Sequence, residues 1–328
     1  MKKNRCLLMI VCCSMLSFQL AAQTKMPPKP VFDDPIFHGA ADPVLVFHPK
    51  EKVWWMFYTN RRATIQDSTV SWVHGTKIGI AISKDGLNWT YQDTANINYR
   101  PDVGYTFWAP EIIADNGIFH MYLSYIPGIF THWNHPAYIV HLTSKDLMKW
   151  DYQSTLQLSS NKVIDANVLK LPTGGWRLWY NDGADGKSMY YADSKDLYQW
   201  EDKGKVKTIG RGEGPKIFEW QGMYFMIVDS WKGMDVYSST DLSVWKKQPE
   251  RILELPGNGT DDQAIGGHAD VIVKNNHAYI YYFTHPDRRK DKPAPKNSFG
   301  EKRSVIQMAE LKLTDGIITC DRNATVKY

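Results

Sequence analysis

Five short segments place an acidic or imidazole side chain at the head of an apolar, strand-like run. They are Ala41-Asp42-Pro43-Val44, Trp108-Ala109-Pro110-Glu111-Ile112, Ile164-Asp165-Ala166-Asn167-Val168, Gly212-Glu213-Gly214-Pro215-Lys216-Ile217 and Gly266-Gly267-His268-Ala269-Asp270-Val271. Charge beside an apolar run is costly to bury unless it is paired or put to use. Two carboxyls across a pocket suit glycoside hydrolysis. One, protonated, donates to the leaving oxygen; the other, ionised, activates water on the opposite face. An inverting pair stands roughly 6.5–9.5 Å apart and a retaining pair about 5–5.5 Å. A third carboxylate near the acid raises its pKa by like-charge repulsion. Plainer alternatives exist. Asp42 before proline suits a turn, Asp165 and Glu213 suit solvated loops, and His268 suits a satisfied inner-strand histidine.

The elements that must carry these residues follow from a repeat. Ser-x-Asp-x-x-x-Trp occurs four times, beginning at Ser83, Ser144, Ser194 and Ser239, with spacings of 61, 50 and 45 residues. A period of that size points to a radial array of similar sheets. Ser and Asp side chains bond nearby backbone in turns, and Trp then anchors the next strand. Aromatic and β-branched runs at 53–59, 118–125, 176–180, 223–228 and 278–284 each follow a turn signal such as Asp115-Asn116-Gly117 or Gly174-Gly175. No stretch shows convincing helical periodicity. The expectation is an all-β fold: a five-bladed β-propeller with about four antiparallel strands per blade. Residues 304–313 and the N-terminal segment would complete blade five. A two-sheet sandwich is the alternative. In a propeller the first strand of each blade lines the axis, so Asp42, Glu111, Asp165, Glu213 and His268 should meet at one mouth.

In an antiparallel blade the loop after the second strand returns to that same face. The loops at 60–77, 126–137, 181–188, 229–233 and 285–303 should therefore wall the pocket. They carry Arg61 and Arg62, then His132, Trp133 and His135, then Trp231, then His285, Arg288 and Arg289. Phe107 and Trp108 precede the second blade's motif. The candidate sugar contacts are Trp108, Glu111, Phe107, Arg62, Trp133, Trp231 and Arg288. Long loops on one rim suit exo action on a chain end. A rim arginine suits a carboxylate, either of the enzyme or of an acidic sugar.

The ordered series Ala-Asp42-Pro, Trp108-Ala-Pro-Glu, Ile-Asp165-Ala-Asn-Val, Glu213-Gly-Pro-Lys-Ile and Gly-His268-Ala resembles glycoside hydrolase family 43. The resemblance implies a five-bladed enzyme acting with inversion on arabinose- and xylose-containing glycans. By motif, Asp42 would be the general base, Glu213 the general acid, and Asp165 the carboxylate that tunes and orients that acid. His268 would match an axial histidine close to a bound Ca²⁺ and its waters. Glu111 has no settled catalytic role in the motif. Two departures stand out: Asp-Ala-Asn where Asp-Pro-Ser is common, and Lys216 where histidine is frequent. The expected activity is exo release of a terminal α-L-arabinofuranose or β-xylose. The rivals are a non-catalytic glycan-binding propeller and a related five-bladed glycosidase or phosphorylase acting on another sugar.

Composition is compatible with this reading. Residues 1–22 read as a secretory signal: Lys2, Lys3 and Arg5, then an apolar stretch, then Ala21-Ala22 before a cut after Ala22. The stretch is short for a membrane span, and no later segment is longer. The remaining residues, 23–328, should form a single domain. Without residues 1–22 the formal net charge falls from +4 to +1, which gives no bulk attraction to nucleic acid. Cys320 is then the only cysteine, so no disulfide can form within the chain. Thirteen Trp, 18 Tyr and 12 Phe exceed what a core requires and suit a sugar ligand, whose flat C–H faces pack on aromatic planes.

Overall fold

The computed structural model describes residues 24–100 and 103–327. The expected export signal lies outside the described residues. The chain forms five small antiparallel sheets, one per blade, around a common axis. Blade one is Ala40–His48, Val53–Asn60, Lys77–Ser83 and Thr90–Thr94; blade two is Thr106–Asp115, Ile118–Ile126, Tyr138–Ser144 and Lys149–Thr155. Blade three is Val163–Lys170, Trp176–Asp182, Ser188–Ser194 and Trp200–Lys205. Blade four is Glu213–Trp220, Met223–Asp229, Met234–Ser239 and Lys246–Lys247; blade five is Gly266–Lys274, His277–Thr284, Val305–Thr314 and Ile317–Cys320. Blade two gains a fifth strand, Asn96–Asn98, parallel to its outer edge.

The first strands pack side by side, and that of blade five returns to that of blade one, so the ring closes. Five buried apolar clusters fill the five gaps between neighbouring blades. Trp150 and Trp179 are among the fully buried side chains there. Truncating such a residue to alanine costs about 3–5 kcal/mol.

The repeated turn explains its own sequence. In the first copy the Ser83 hydroxyl donates to Asp85 Oδ1 (3.0 Å) and accepts the Gly86 N–H (2.8 Å); Asp85 Oδ1 accepts the Leu87 and Asn88 N–H groups (both 2.9 Å). The residue after Asp is left-handed in every copy: Gly86, Leu147, Leu197 and Leu242 have φ of 70°, 63°, 68° and 61°. For leucine this costs about 1–2 kcal/mol. Burial of all three leucines and the Ser and Asp bonds offset it. In the first three copies the Trp indole N–H also donates back to the left-handed residue's carbonyl. Trp245 lacks that bond.

Blade five corrects one expectation. Its outer strand is Ile317–Cys320, folded back by an Asp315-Gly316 turn with φ of 50° and 77°, the left-handed pair a tight hairpin requires. The N-terminal segment does not supply that strand. It bridges to blade five at Phe32↔Ile306 and Gly39↔Ser304, while Thr24–Lys25 pairs with Val326–Lys327.

Candidate active site

Each first strand carries a bulge close to its start. The register shifts between Ala41 and Val44, Trp108 and Pro110, Ile164 and Asn167, Glu213 and Lys216, and Gly267 and Ala269. At four of the five, the bulged residue is left-handed: Asp42 (φ 52°), Ala109 (34°), Asp165 (59°) and Gly214 (57°). A bulge re-aims side chains at the rim of a sheet, and non-glycine residues held there mark a site under constraint. The N–H groups freed by the bulges are taken up by the preceding blade. Ala109 N–H donates to Thr59 Oγ1 (2.8 Å), Asp165 N–H to Ser124 Oγ (2.9 Å) and His268 N–H to Asp229 Oδ2 (2.9 Å).

The bulges open into a pocket of about 890 Å³ lined by Asp42, Asp165, Glu213, Asp229 and His268. Asp42 is buried, and Arg61 Nη2 donates to both its oxygens (3.0 and 3.2 Å). Burial alone would raise its pKa, but the charges of Arg61 and His268 and a Thr59 bond hold it below the usual carboxylate range. Asp42 is therefore an ionised group with its charge intact, as a base requires. Arg61 is itself braced over the Phe283 ring, 4.6 Å from its centroid.

Asp165 is pushed up to about 6, chiefly by burial, with Glu213 and Asp42 adding repulsion against the opposing pull of His268. Its Oδ2 accepts the Gly214 N–H at 3.1 Å, fixing it beside the strand that carries Glu213. Glu213 is half-buried; Lys187 Nζ lies 2.9 Å from Oε2, and the Trp231 indole donates to Oε1 at 3.0 Å. Burial opposes protonation of His268, yet Asp165, Asp42, Asp229 and Glu213 outweigh it and raise its pKa. Its Nδ1 stands 3.5 Å from Asp42 Oδ1.

Trp108 lines the pocket, its indole donating to Val73 O (2.6 Å), with the exposed Trp133 6.2 Å away ring to ring. Trp231, 42% exposed, lines the other side under the Arg211 guanidinium. Arg288 also faces the pocket, anchored through Nε to Glu301 O (2.8 Å).

Three expected sugar contacts lie elsewhere. Phe107 is buried between Tyr105 and Tyr125 in the core shared by blades one and two, because neighbours along a strand point to opposite faces and Trp108 takes the pocket side. Arg62 turns back to Ser71 O (2.7 Å) and braces its own loop; Arg61 reaches the pocket instead. Glu111 lies off the pocket lining, one step further down the axis, where it accepts from Asn167 Nδ2 (2.8 Å).

Sequence reading also missed Asp229, Lys187 and the pairing of Arg61 with Asp42. Asp229 ends the second strand of blade four and pairs in register with Glu213. That pairing is the signal that could have found it. Burial and Glu213 raise Asp229 to about 6, against the His268 and Trp231 N–H bonds.

His268 sits among the carboxylates of Asp42, Asp165, Asp229 and Glu213 as their positive partner, and supplies no oxygen of the kind that Ca²⁺ takes. Among the described residues no group of three or more His, Cys, Asp or Glu side chains is arranged to hold a metal. No helix among them is long and apolar enough to cross a membrane.

Three structures with the same fold are similar over nearly the whole chain. A family 43 β-xylosidase/α-arabinofuranosidase from a compost microbial metagenome, with xylotriose and in a calcium-free form, is 12% identical; the match covers 92% of this chain and 98% of that one, with a TM-score of 0.65. A family 43 β-1,3-galactosidase with galactodeoxynojirimycin is 14% identical over 90% and 98%, with a TM-score of 0.64. The Xanthomonas citri GH43_1 enzyme with xylotriose is 14% identical over 94% and 96%, with a TM-score of 0.63. No curated protein matches the sequence. Residues 31–258 match the family described as a probable glycosyl hydrolase domain related to family 43. With that match spanning most of the chain, and a carboxylate-lined pocket at the mouth of a five-bladed propeller, the protein belongs to the family 43-related glycosyl hydrolases.

Proposed function

We propose that this protein is an exported, inverting, exo-acting glycosidase that removes a terminal pentose, α-L-arabinofuranose or β-xylose, from plant-type glycans. Asp42 is the general base, Glu213 the general acid and Asp165 the group that orients and tunes the acid. The observation that carries this reading is the asymmetry between the first two. Asp42, in blade one, is buried and kept ionised by Arg61; Glu213, on non-adjacent blade four, is half-exposed at the rim where a leaving group departs. Asp42 polarises a water toward the anomeric carbon while Glu213 delivers a proton to the departing oxygen. Asp165 and Asp229 stand beside Glu213 and feel its charge, which places two further carboxyls next to the acid. Trp133 and Trp231 offer exposed ring faces to the sugar and the next unit. Loops from every blade wall the pocket, which supports action at a chain end.

The test is a panel of aryl α-L-arabinofuranosides, β-D-xylosides and β-D-galactosides, with proton NMR of the first anomer released. Release of a pentose with inverted configuration is expected. Retained configuration would overturn the assigned base, and galactose alone would overturn the pentose.

A further inference from the structure

Two residues beyond each bulge, the first strands of blades two to five present Glu111, Asn167, Lys216 and Asp270. This is a second layer, one strand step below Asp42, Asp165 and His268. All four side chains are buried or nearly so. Lys216 Nζ lies 2.7 Å from Asp270 Oδ1 and 3.7 Å from Glu111 Oε2. Glu111 Oε1 accepts from Asn167 Nδ2 (2.8 Å) and Val168 N–H (3.3 Å), and Asn167 Oδ1 accepts the Ile217 N–H (2.9 Å). Asp270 Oδ1 also accepts the Val271 N–H (2.8 Å), and its Oδ2 takes the Leu45 N–H of blade one at 2.7 Å. The network thus touches every blade and leaves none of its charged atoms unpartnered among the described residues.

We infer that the Lys216 ammonium is the axial cation of this propeller, tying the five first strands together in place of a bound divalent metal. An ammonium on a four-carbon stem is a compact positive charge. Here it stands between two carboxylates, whose oxygens a hard cation would otherwise take. A buried carboxylate pair with no cation would be strongly unfavourable. Because the lysine arrives with the fold, the protein needs no metal to assemble its axis. This holds whichever sugar the pocket cleaves.

The experiment follows thermal unfolding of the full chain with EDTA, with millimolar CaCl₂ and with ethylammonium chloride, for the wild type and for Lys216→Ala. The wild-type Tm and activity should not respond to either EDTA or calcium. Lys216→Ala should lose roughly 5–10 °C and regain part of it with calcium or ethylammonium, which fill the vacated position between Glu111 and Asp270. Loss of wild-type Tm in EDTA, restored by calcium, would overturn the inference. So would a Lys216→Ala protein as stable as wild type, or a destabilised one indifferent to both cations. If Lys216→Ala does not fold, the wild-type response to chelation still decides.

Discussion

Replacing Glu111 by glutamine changes one buried acid on the axis while keeping an oxygen to accept from Asn167 and Val168. Burial pushes Glu111 up to about 7 from 4.5, with Asp270 adding repulsion and Lys216, Val168 and Asn167 opposing. The charge balance agrees, since one ammonium faces two carboxylates and Asp270, at 2.7 Å, holds the shorter contact. Glu111 therefore carries a proton through mildly acidic pH. A folded-state pKa above the unfolded value means that the folded protein binds the extra proton. The stabilisation is complete below pH 4.5 and is lost as pH rises through about 7. A displacement from 4.5 to about 7, at about 1.4 kcal/mol per pH unit, is worth about 3 kcal/mol.

Asp165 and Asp229, both raised to about 6, titrate in the same direction, while lowered carboxylates such as Asp42 run the other way. The wild-type curve alone therefore cannot isolate Glu111. The difference between wild type and Glu111→Gln can. Urea denaturation at intervals from pH 4 to 8 should show the variant gaining about 3 kcal/mol on the wild type between pH 4.5 and 7.5. The glutamine amide beside Lys216 adds a fixed offset, so the slope is the readout. Parallel curves would show that Glu111 is already ionised at pH 4.5 and would refute the reasoning.

Three further outcomes are expected. Asp42→Asn should lower kcat/KM by about 10³ on every substrate, whereas Glu213→Gln should recover much of its loss on aryl glycosides with good leaving groups, as stopped assays across a leaving-group series would show. Asp165→Asn removes a negative charge beside the acid, so the basic limb of its kcat/KM–pH profile should move to lower pH; an unmoved limb would remove Asp165 from that role. Trp133→Ala, at a side chain 64% exposed, should raise KM several-fold while changing unfolding free energy by less than about 0.5 kcal/mol.

Much of this was written in the chain order. The Ser-x-Asp-x-x-x-Trp turns counted four blades, and the five acidic or histidine-bearing segments counted the first strands and brought Asp42, Asp165, Glu213 and His268 to one mouth. What sequence could not supply was the depth of each residue along the axis. Aligned by their polar residues, Glu111 and Glu213 look equivalent. Aligned by the bulged residue, Glu111 falls two positions after Ala109, and Glu213 one before Gly214. Backbone φ at Asp42, Ala109, Asp165 and Gly214 decides this, and residue type barely constrains it: two of the four are aspartates, and only one is glycine. The choice between Arg61 and Arg62 was likewise closed to sequence, because adjacent residues leave on different sides. Aligning on the bulge also explains the odd blade. Its second-layer position is Val44, which packs into the core between blades one and two, and the Leu45 N–H makes the axial contact there. Asp270 already accepts from Lys216 and Val271 on its other oxygen, so a backbone donor completes the ring without placing a further charge beside the ammonium.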